Sequence, residues 1–268
     1  MKKLISITLA LVMCLFCFAS CASEVDNSKD LEYIQEKGSL IVGITLLEPL
    51  DFKGENGEWV GFDAELAKAV GEELGVEVKF QEIDWKAKEA ELAAKNIDCI
   101  WNGLTITPAR QEEMSITNPY MINKQVIVVR AEDSENYSDI NSLAGKTIAA
   151  EAGSAGEEVV QNKISDAKYV EKGVQLDALT EVKGKTADAA VIDYVMANYL
   201  INKEGSAYSD LTILDMNLSD PENYGIAFRK GSNTTAKVNE VLSELAESGV
   251  IADIASKYGL SNSLLELK

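Results

Sequence analysis

Apolar positions along this chain follow two rhythms in turn, continuous or alternating runs and runs spaced every three to four residues, which predict strands and helices in succession. Leu40-Ile41-Val42-Gly43-Ile44 is a continuous apolar run of the kind a buried strand carries. Leu66, Val70 and Leu74 recur every four residues and Gly75 follows, so a helix is predicted over 63–74. Residues 76–83 alternate like a strand, 86–94 read as a helix and 97–101 as a strand, with Asn102-Gly103-Leu104-Thr105 as a small-polar turn. Residues 124–130, KQVIVVR, form a further strand, and the charge-rich 131–139 reads as a connection. A second set follows, with strands at 146–150 and 189–192 and helices at 154–164 and 193–201. A strand at 224–229 then precedes a helical stripe of Val238, Val241, Leu242 and Leu245 that ends at Gly249, and a short helix at 251–258. Pro49, Pro108, Pro119 and Pro221 all fall at element edges in this reading, as a residue without an N–H should. Alternation of this kind predicts an α/β protein, with two lobes joined by KQVIVVR going out and YGIAFRK coming back.

The first 21 residues stand apart. Lys2 and Lys3 precede an apolar run at 4–18 that ends in small residues, the pattern of an export signal and too short for a membrane span. Phe18-Ala19-Ser20-Cys21 resembles the lipobox of bacterial lipoproteins, which implies a lipid on Cys21; the alternative is ordinary cleavage with no lipid. A lipid at Cys21 would hold the protein at the outer face of the membrane, with 22–36 as a tether, polar from Ala22 to Lys29. Loss of the segment leaves 247 residues, enough for one large or two smaller lobes. It also takes the net charge from −19 to −21, which argues against nucleic acid and anionic lipid headgroups as partners. Cys14 and Cys17 leave with the signal, so Cys99 in its apolar strand is expected to be plain core. There is no His, which removes zinc and Cys-His chemistry, and no metal or cofactor is expected.

The candidate chemistry centres on WNGLTITPARQEEMSITNPY at 101–120. Thr107 is a good N-cap and Pro108 a good first helical residue, so a helix should start there. That places Arg110 in the first turn, where the helix dipole disfavours a cation. An Arg that breaks a local rule beside hydroxyl, amide and backbone groups suits a small carboxylate ligand; otherwise it is a surface Arg pairing with Glu113 or Asp51. Ala152-Gly153-Ser154-Ala155-Gly156 opening a helix offers free N–H groups to an anion, although Ser154 could equally be an N-cap. Asp193 ends an apolar strand, where it could face a cleft or cap its own helix, and Trp85 could be cleft wall or lobe core.

Gly61-Phe62-Asp63-Ala64-Glu65-Leu66-Ala67-Lys68-Ala69-Val70-Gly71-Glu72-Glu73-Leu74 resembles the signature of the family 3 extracellular solute-binding proteins, the amino-acid receptors of bacterial ABC importers. NIDCIWNGLTITPARQEEMSITNPY, DAAVIDYVMA and ENYGIAFRKGS resemble three further landmarks in the expected order, so the likeness covers nearly the whole mature chain. Ala64 departs mildly from a larger aliphatic residue or Thr. The resemblance implies a two-lobed periplasmic-binding-protein-like (type II) fold with two crossing hinge strands, one lobe at 37–127 plus 226–268 and the other at 128–225. It implies that Arg110 clamps the carboxylate of a free amino acid. The Gly103 backbone and Thr105 hydroxyl would bind beside Asn102, and Ser154 and Ala155 would present helix-start amides to the same carboxylate. Asp193 would pair with the ammonium, and Trp85 and Leu47 would line the side-chain pocket. Where the family often carries a Tyr or Phe, this chain has Thr45-Leu46-Leu47-Glu48-Pro49-Leu50, so a stacking face is missing and Glu48 is left to answer a cationic side chain or to be solvated.

The resulting expectation is a monomeric binding protein without catalysis, exported, that captures a free amino acid by lobe closure and delivers it to ABC permease subunits. The alternatives are a dehydratase-like enzyme acting on a carboxylate substrate, with Glu48 or Glu151 as its acid or base, and an amino-acid sensor on the same fold.

Overall fold

The computed structural model describes residues 26–267, so the export signal, Cys14, Cys17, Cys21 and the start of the tether lie outside the described residues. The chain begins with helix α1 (Asp30–Lys37), strand β1 (Ser39–Ile44) and a hairpin of β2 (Phe52–Lys53) and β3 (Trp59–Val60). Helix α2 (Phe62–Leu74), β4 (Glu77–Glu82), α3 (Lys88–Ala93), β5 (Cys99–Thr105), α4 (Pro108–Glu113), β6 (Met114–Ile116) and β7 (Met121–Asn123) complete the first passage. The chain then crosses to β8 (Gln125–Arg130), β9 (Thr147–Glu151), α5 (Ala155–Lys163), β10 (Lys168–Lys172), α6 (Gln175–Lys183), β11 (Ala189–Asp193), α7 (Tyr194–Asn202) and β12 (Leu211–Ile213). It returns through β13 (Glu222–Arg229) to α8 (Thr234–Glu247) and α9 (Val250–Lys257).

Two sheets result. The first runs β4-β1-β5-β13-β6 with β7 also on β13, and the second runs β10-β9-β11-β8-β12. In each, three strands are parallel and the rest antiparallel: β1, β4 and β5 in the first, β9, β10 and β11 in the second. The carboxyl ends of parallel strands are where ligands collect in such sheets. The fold is therefore the expected two-lobed α/β one, with the crossing placed differently. Hydrogen-bond partners assign all of β8 to the second sheet, where Gln125 pairs with Asp193, and all of β13 to the first, where Glu222 pairs with Asn123. The divisions expected at 127/128 and 225/226 cut both strands; the chain changes sheets at Lys124 and again between β12 and β13.

Two further expectations change. Residues 30–36 are not tether, because α1 is docked: Ile34 is fully buried and Asp30 is buried against Arg229 at 2.8 Å. Asn102-Gly103-Leu104-Thr105 is not a turn but the end of β5, paired from Thr105 to Tyr224 and from Leu104 to Gly225. The register slips there, because residues 101–103 face Ile226 alone, and Gly103 takes φ +57° at the bulge. A bulge of this kind re-aims the chain, here turning Gly103 towards the space between the lobes.

The Gly61-Phe62-Asp63 motif acquires a physical reason. A Cβ on Gly61 would stand 2.2 Å from the Leu50 carbonyl, so only glycine fits. Phe62 is fully buried and stacks on Tyr120, ring centroids 6.2 Å apart. Asp63 accepts hydrogen bonds from the Gly103 N–H and the Tyr120 hydroxyl, both at 2.9 Å, and so fixes the bulge from beneath. Burial pushes the Asp63 carboxyl up to about 6. Cys99 is fully buried in β5, and burial pushes its thiol well above the ordinary range, which makes it an inert core residue.

The return strand is anchored by a buried guanidinium. Arg229 reaches Asp30 at 2.8 Å and Asp98 at 3.4 Å, and donates to the Ile97 carbonyl at 2.8 Å. Replacing Arg229 by Met leaves two buried carboxylates without this partner and is expected to cost about 3–5 kcal/mol in urea unfolding. A loss below about 1 kcal/mol would show that this network does not hold α1 to the lobe.

Candidate functional site

The carboxyl ends of β5, β9 and β11 meet across a narrow cleft between the two sheets. Its lining brings together all nine residues expected from the sequence, Arg110, Asp193, Thr105, Gly103, Asn102, Ser154, Ala155, Trp85 and Leu47, and adds Glu151 and Gln175.

On the first lobe, Thr107 caps α4 as expected, its Oγ1 accepting from the Arg110 N–H at 3.2 Å. The Arg110 side chain turns back, donating from Nη1 to the Thr105 carbonyl at 2.7 Å and lying 3.4 Å from the Gly153 carbonyl through Nη2. It pairs with neither Glu113 nor Asp51, and makes no ion pair among the described residues. A buried guanidinium held by carbonyls keeps its full charge for an anion. Asn102 plays a different part from the one expected. Its amide is spent on the lobe itself, accepting from Thr45 N and Oγ1 and donating to the Thr45 carbonyl and Asp51. The Gly103 N–H is likewise committed to Asp63, which leaves its carbonyl to offer. Leu47 packs over Gly103, and the Trp85 ring carries the Lys88 ammonium 4.9 Å from its centroid.

On the second lobe, Ser154 is the N-cap of α5: its Oγ accepts from Glu157 N at 3.2 Å and donates to the Glu151 carbonyl at 2.7 Å. Ala155, the first residue of α5, lines the cleft, and a helix start of this kind favours an anion. Asp193 does not cap α7 with its side chain; Asn123 accepts from Val195 N instead. The Asp193 carboxylate is held by three amides, Asn123 Nδ2 at 2.7 Å, Gln125 Nε2 at 2.5 Å and Gln175 Nε2. Asn123 and Gln125 also donate to Glu222, so two carboxylates share two donors where the chain changes sheets. Burial raises Asp193 above the usual carboxylate range despite these donors.

Gln175, Asn123, Gln125 and Glu222 were not anticipated. Gln175 opens α6, a helix whose buried Ala178, Leu179 and Val182 give a short apolar rhythm but no capping residue. The lobes touch around the cleft, through Lys88 Nζ on the Gly153 carbonyl at 2.9 Å, Lys86 with Glu171 at 3.0 Å and Lys203 with Glu48 at 2.7 Å. Glu48 is thereby occupied between the lobes. Among the described residues no acidic or thiol cluster has metal-binding geometry, and no helix is long and apolar enough to cross a membrane.

A cleft of opposed buried charges between two α/β lobes defines a solute-binding protein. Residues 40–261 match the bacterial extracellular solute-binding proteins, family 3, and the chain belongs to that family, whose members are exported. It is similar to the arginine-binding extracellular protein ArtP of Bacillus subtilis, 28% identical with 91% of this chain and 92% of that one covered. Among solved structures it resembles the P235GK mutant of ArgBP from T. maritima, 35% identical with TM-score 0.77 over 85% of this chain and 98% of that one. It also resembles AncCDT-1, an ancestral amino acid-binding protein and precursor of cyclohexadienyl dehydratase, 29% identical with TM-score 0.79 over 85% and 99%.

The shared donors at the crossing make a pH prediction. Burial and the Asp193 charge push Glu222 from 4.5 up to about 7. The unfolded chain therefore loses this proton first, and the stability Glu222 contributes below its unfolded value is lost as pH rises through about 7. Glu222→Gln should match the parent near pH 5 and exceed it in urea unfolding near pH 8; parallel stability curves for the two proteins would contradict this.

Proposed function

We propose that this protein captures a free α-amino acid between its lobes and delivers it to the permease of an ABC importer. The observation that carries the reading is the pairing of Arg110 on one lobe with Asp193 on the other, both nearly fully buried and both lining one cleft. A zwitterion leaving water needs both of its charges met. Arg110 and the Ala155 amide take the α-carboxylate, while Asp193 and the Gly103 carbonyl take the α-ammonium. Thr105 closes the carboxylate end, and Leu47 and Trp85 flank the side chain. Relatives named for arginine and cystine binding support the amino-acid class. The protein acts as a monomer, without a cofactor, held at the outer face of the membrane by a lipid on Cys21.

A second reading, an enzyme on this fold, is favoured by one observation: Glu151 is a buried acid in the cleft whose carboxyl is raised well above the usual range, as a proton donor requires. No turnover of a carboxylate substrate such as prephenate is expected.

The test of the transport reading is a thermal-unfolding panel of the free L-amino acids on residues 26–267. A ligand at a thousandfold over its Kd should add about 4 kcal/mol to stability. Arg110→Ala should lose about 2–5 kcal/mol of affinity for that ligand and still unfold cooperatively. A panel in which no amino acid moves the transition, or an Arg110→Ala protein with full affinity, overturns this function.

A further inference from the structure

Glu151 ends β9 one strand away from Asp193, and its environment is the opposite of its neighbour's. It is only 3% exposed, it lines the cleft, and its Oε1 is fully buried with no hydrogen-bond partner. The donors near that oxygen are largely spent elsewhere. Gln175 uses both ends of its amide on Asp193, donating to the carboxylate and accepting from the main-chain N–H at 2.9 Å. The Lys88 ammonium is held by the Trp85 and Gly153 carbonyls and by Glu89 at 3.2 Å. Arg110 is turned to the Thr105 carbonyl, and Glu151 makes no ion pair among the described residues. A buried carboxyl oxygen without a donor is costly, and such costs persist where a ligand relieves them.

The charges of the ligand settle what Glu151 is for, given the amino-acid reading above, on which this rests. An amino acid's carboxylate and ammonium are already answered by Arg110 and Asp193. Glu151 is one acid more than a zwitterion needs, and it stands in a cleft walled by the apolar Leu47 and Trp85. We propose that Glu151 reads the ligand's side chain, so that the cleft selects amino acids with an aliphatic stem ending in an ammonium or guanidinium group. The stem lies along Leu47 and Trp85, and the head donates to Glu151, ending its unsatisfied state.

Binding of this kind moves a proton. Burial and the Asp193 charge hold the Glu151 carboxyl well above the ordinary range, with Lys88 and a hydrogen bond from Gln175 opposing them and Asp84 acting the same way as Asp193. Arg110 from α4 and Tyr169 from β10 complete the ionisable surroundings. A cationic head ionises Glu151 and releases its proton to the solvent, so affinity for such a ligand rises with pH.

The experiment is isothermal titration of residues 26–267 with two length-matched pairs, arginine against citrulline and lysine against norleucine, in buffers of different ionisation enthalpy. Arginine or lysine should bind at least about tenfold more tightly than its neutral match and release protons on binding. Glu151→Gln should weaken the cationic ligand about tenfold to a hundredfold, abolish the proton release and change the neutral ligand by less than about threefold. If the neutral match binds the parent protein as tightly, or if Glu151→Gln weakens both members of a pair equally, the proposal is overturned; the second result assigns Glu151 to the shared α-ammonium. Both results leave amino-acid binding standing. A parent protein that binds no amino acid overturns the proposal together with the function on which it rests.

Discussion

Two buried charges of opposite sign, carried on opposite lobes and neither neutralised by the other, set the terms for this molecule. Arg110 is oriented by the Thr105 carbonyl and Asp193 by three side-chain amides, so both are solvated by protein dipoles. Dipoles can hold a buried charge in place without cancelling it, whereas a direct ion pair would consume both groups. The bulge at Gly103, the Asp63 carboxylate beneath it and the Ser154 cap all serve to aim groups at the same few ångströms of space.

The contacts that close the lobes are weak by comparison. Lys86 with Glu171 and Lys203 with Glu48 are at least partly exposed pairs, of a kind worth about 0–1 kcal/mol each. The buried contacts across the cleft, from Lys88 and Arg110 to the Gly153 carbonyl, are hydrogen bonds to one acceptor. A closed state resting on so little can be shifted strongly by a ligand that touches both lobes, because a population shift follows differential contact between the two states.

Much of this was legible in the sequence, and the parts that were not share a cause. The apolar rhythm located β1, α2, β8, β9, β11 and α8 because each buries a regular face. The Arg110 expectation rested on a local conflict, a cation in the first turn of a helix, and the structure explains that conflict by turning the side chain back over β5. Strand β10 and helix α6 escaped notice because KYVEK is a charged edge strand and α6 starts without a capping side chain. With α6 went Gln175. The turn expected at Asn102-Gly103 was a misreading of polarity: small polar residues there mark a bulge in a buried strand, stabilised by Asp63 from 40 residues earlier in the chain. Asn102 shows the same limit, since a residue placed correctly at the cleft spends its amide on Thr45 and Asp51.

The site is also tied to the place where the chain changes lobes. Asn123 ends β7 in the first sheet, Gln125 begins β8 in the second, and Lys124 between them is the crossing. Both amides donate to Asp193 and to Glu222, so the Asp193 carboxylate is gripped from both sides of the crossing. A rotation of one lobe on the other must therefore change the hydrogen bonding of Asp193 as well as its distance from Arg110.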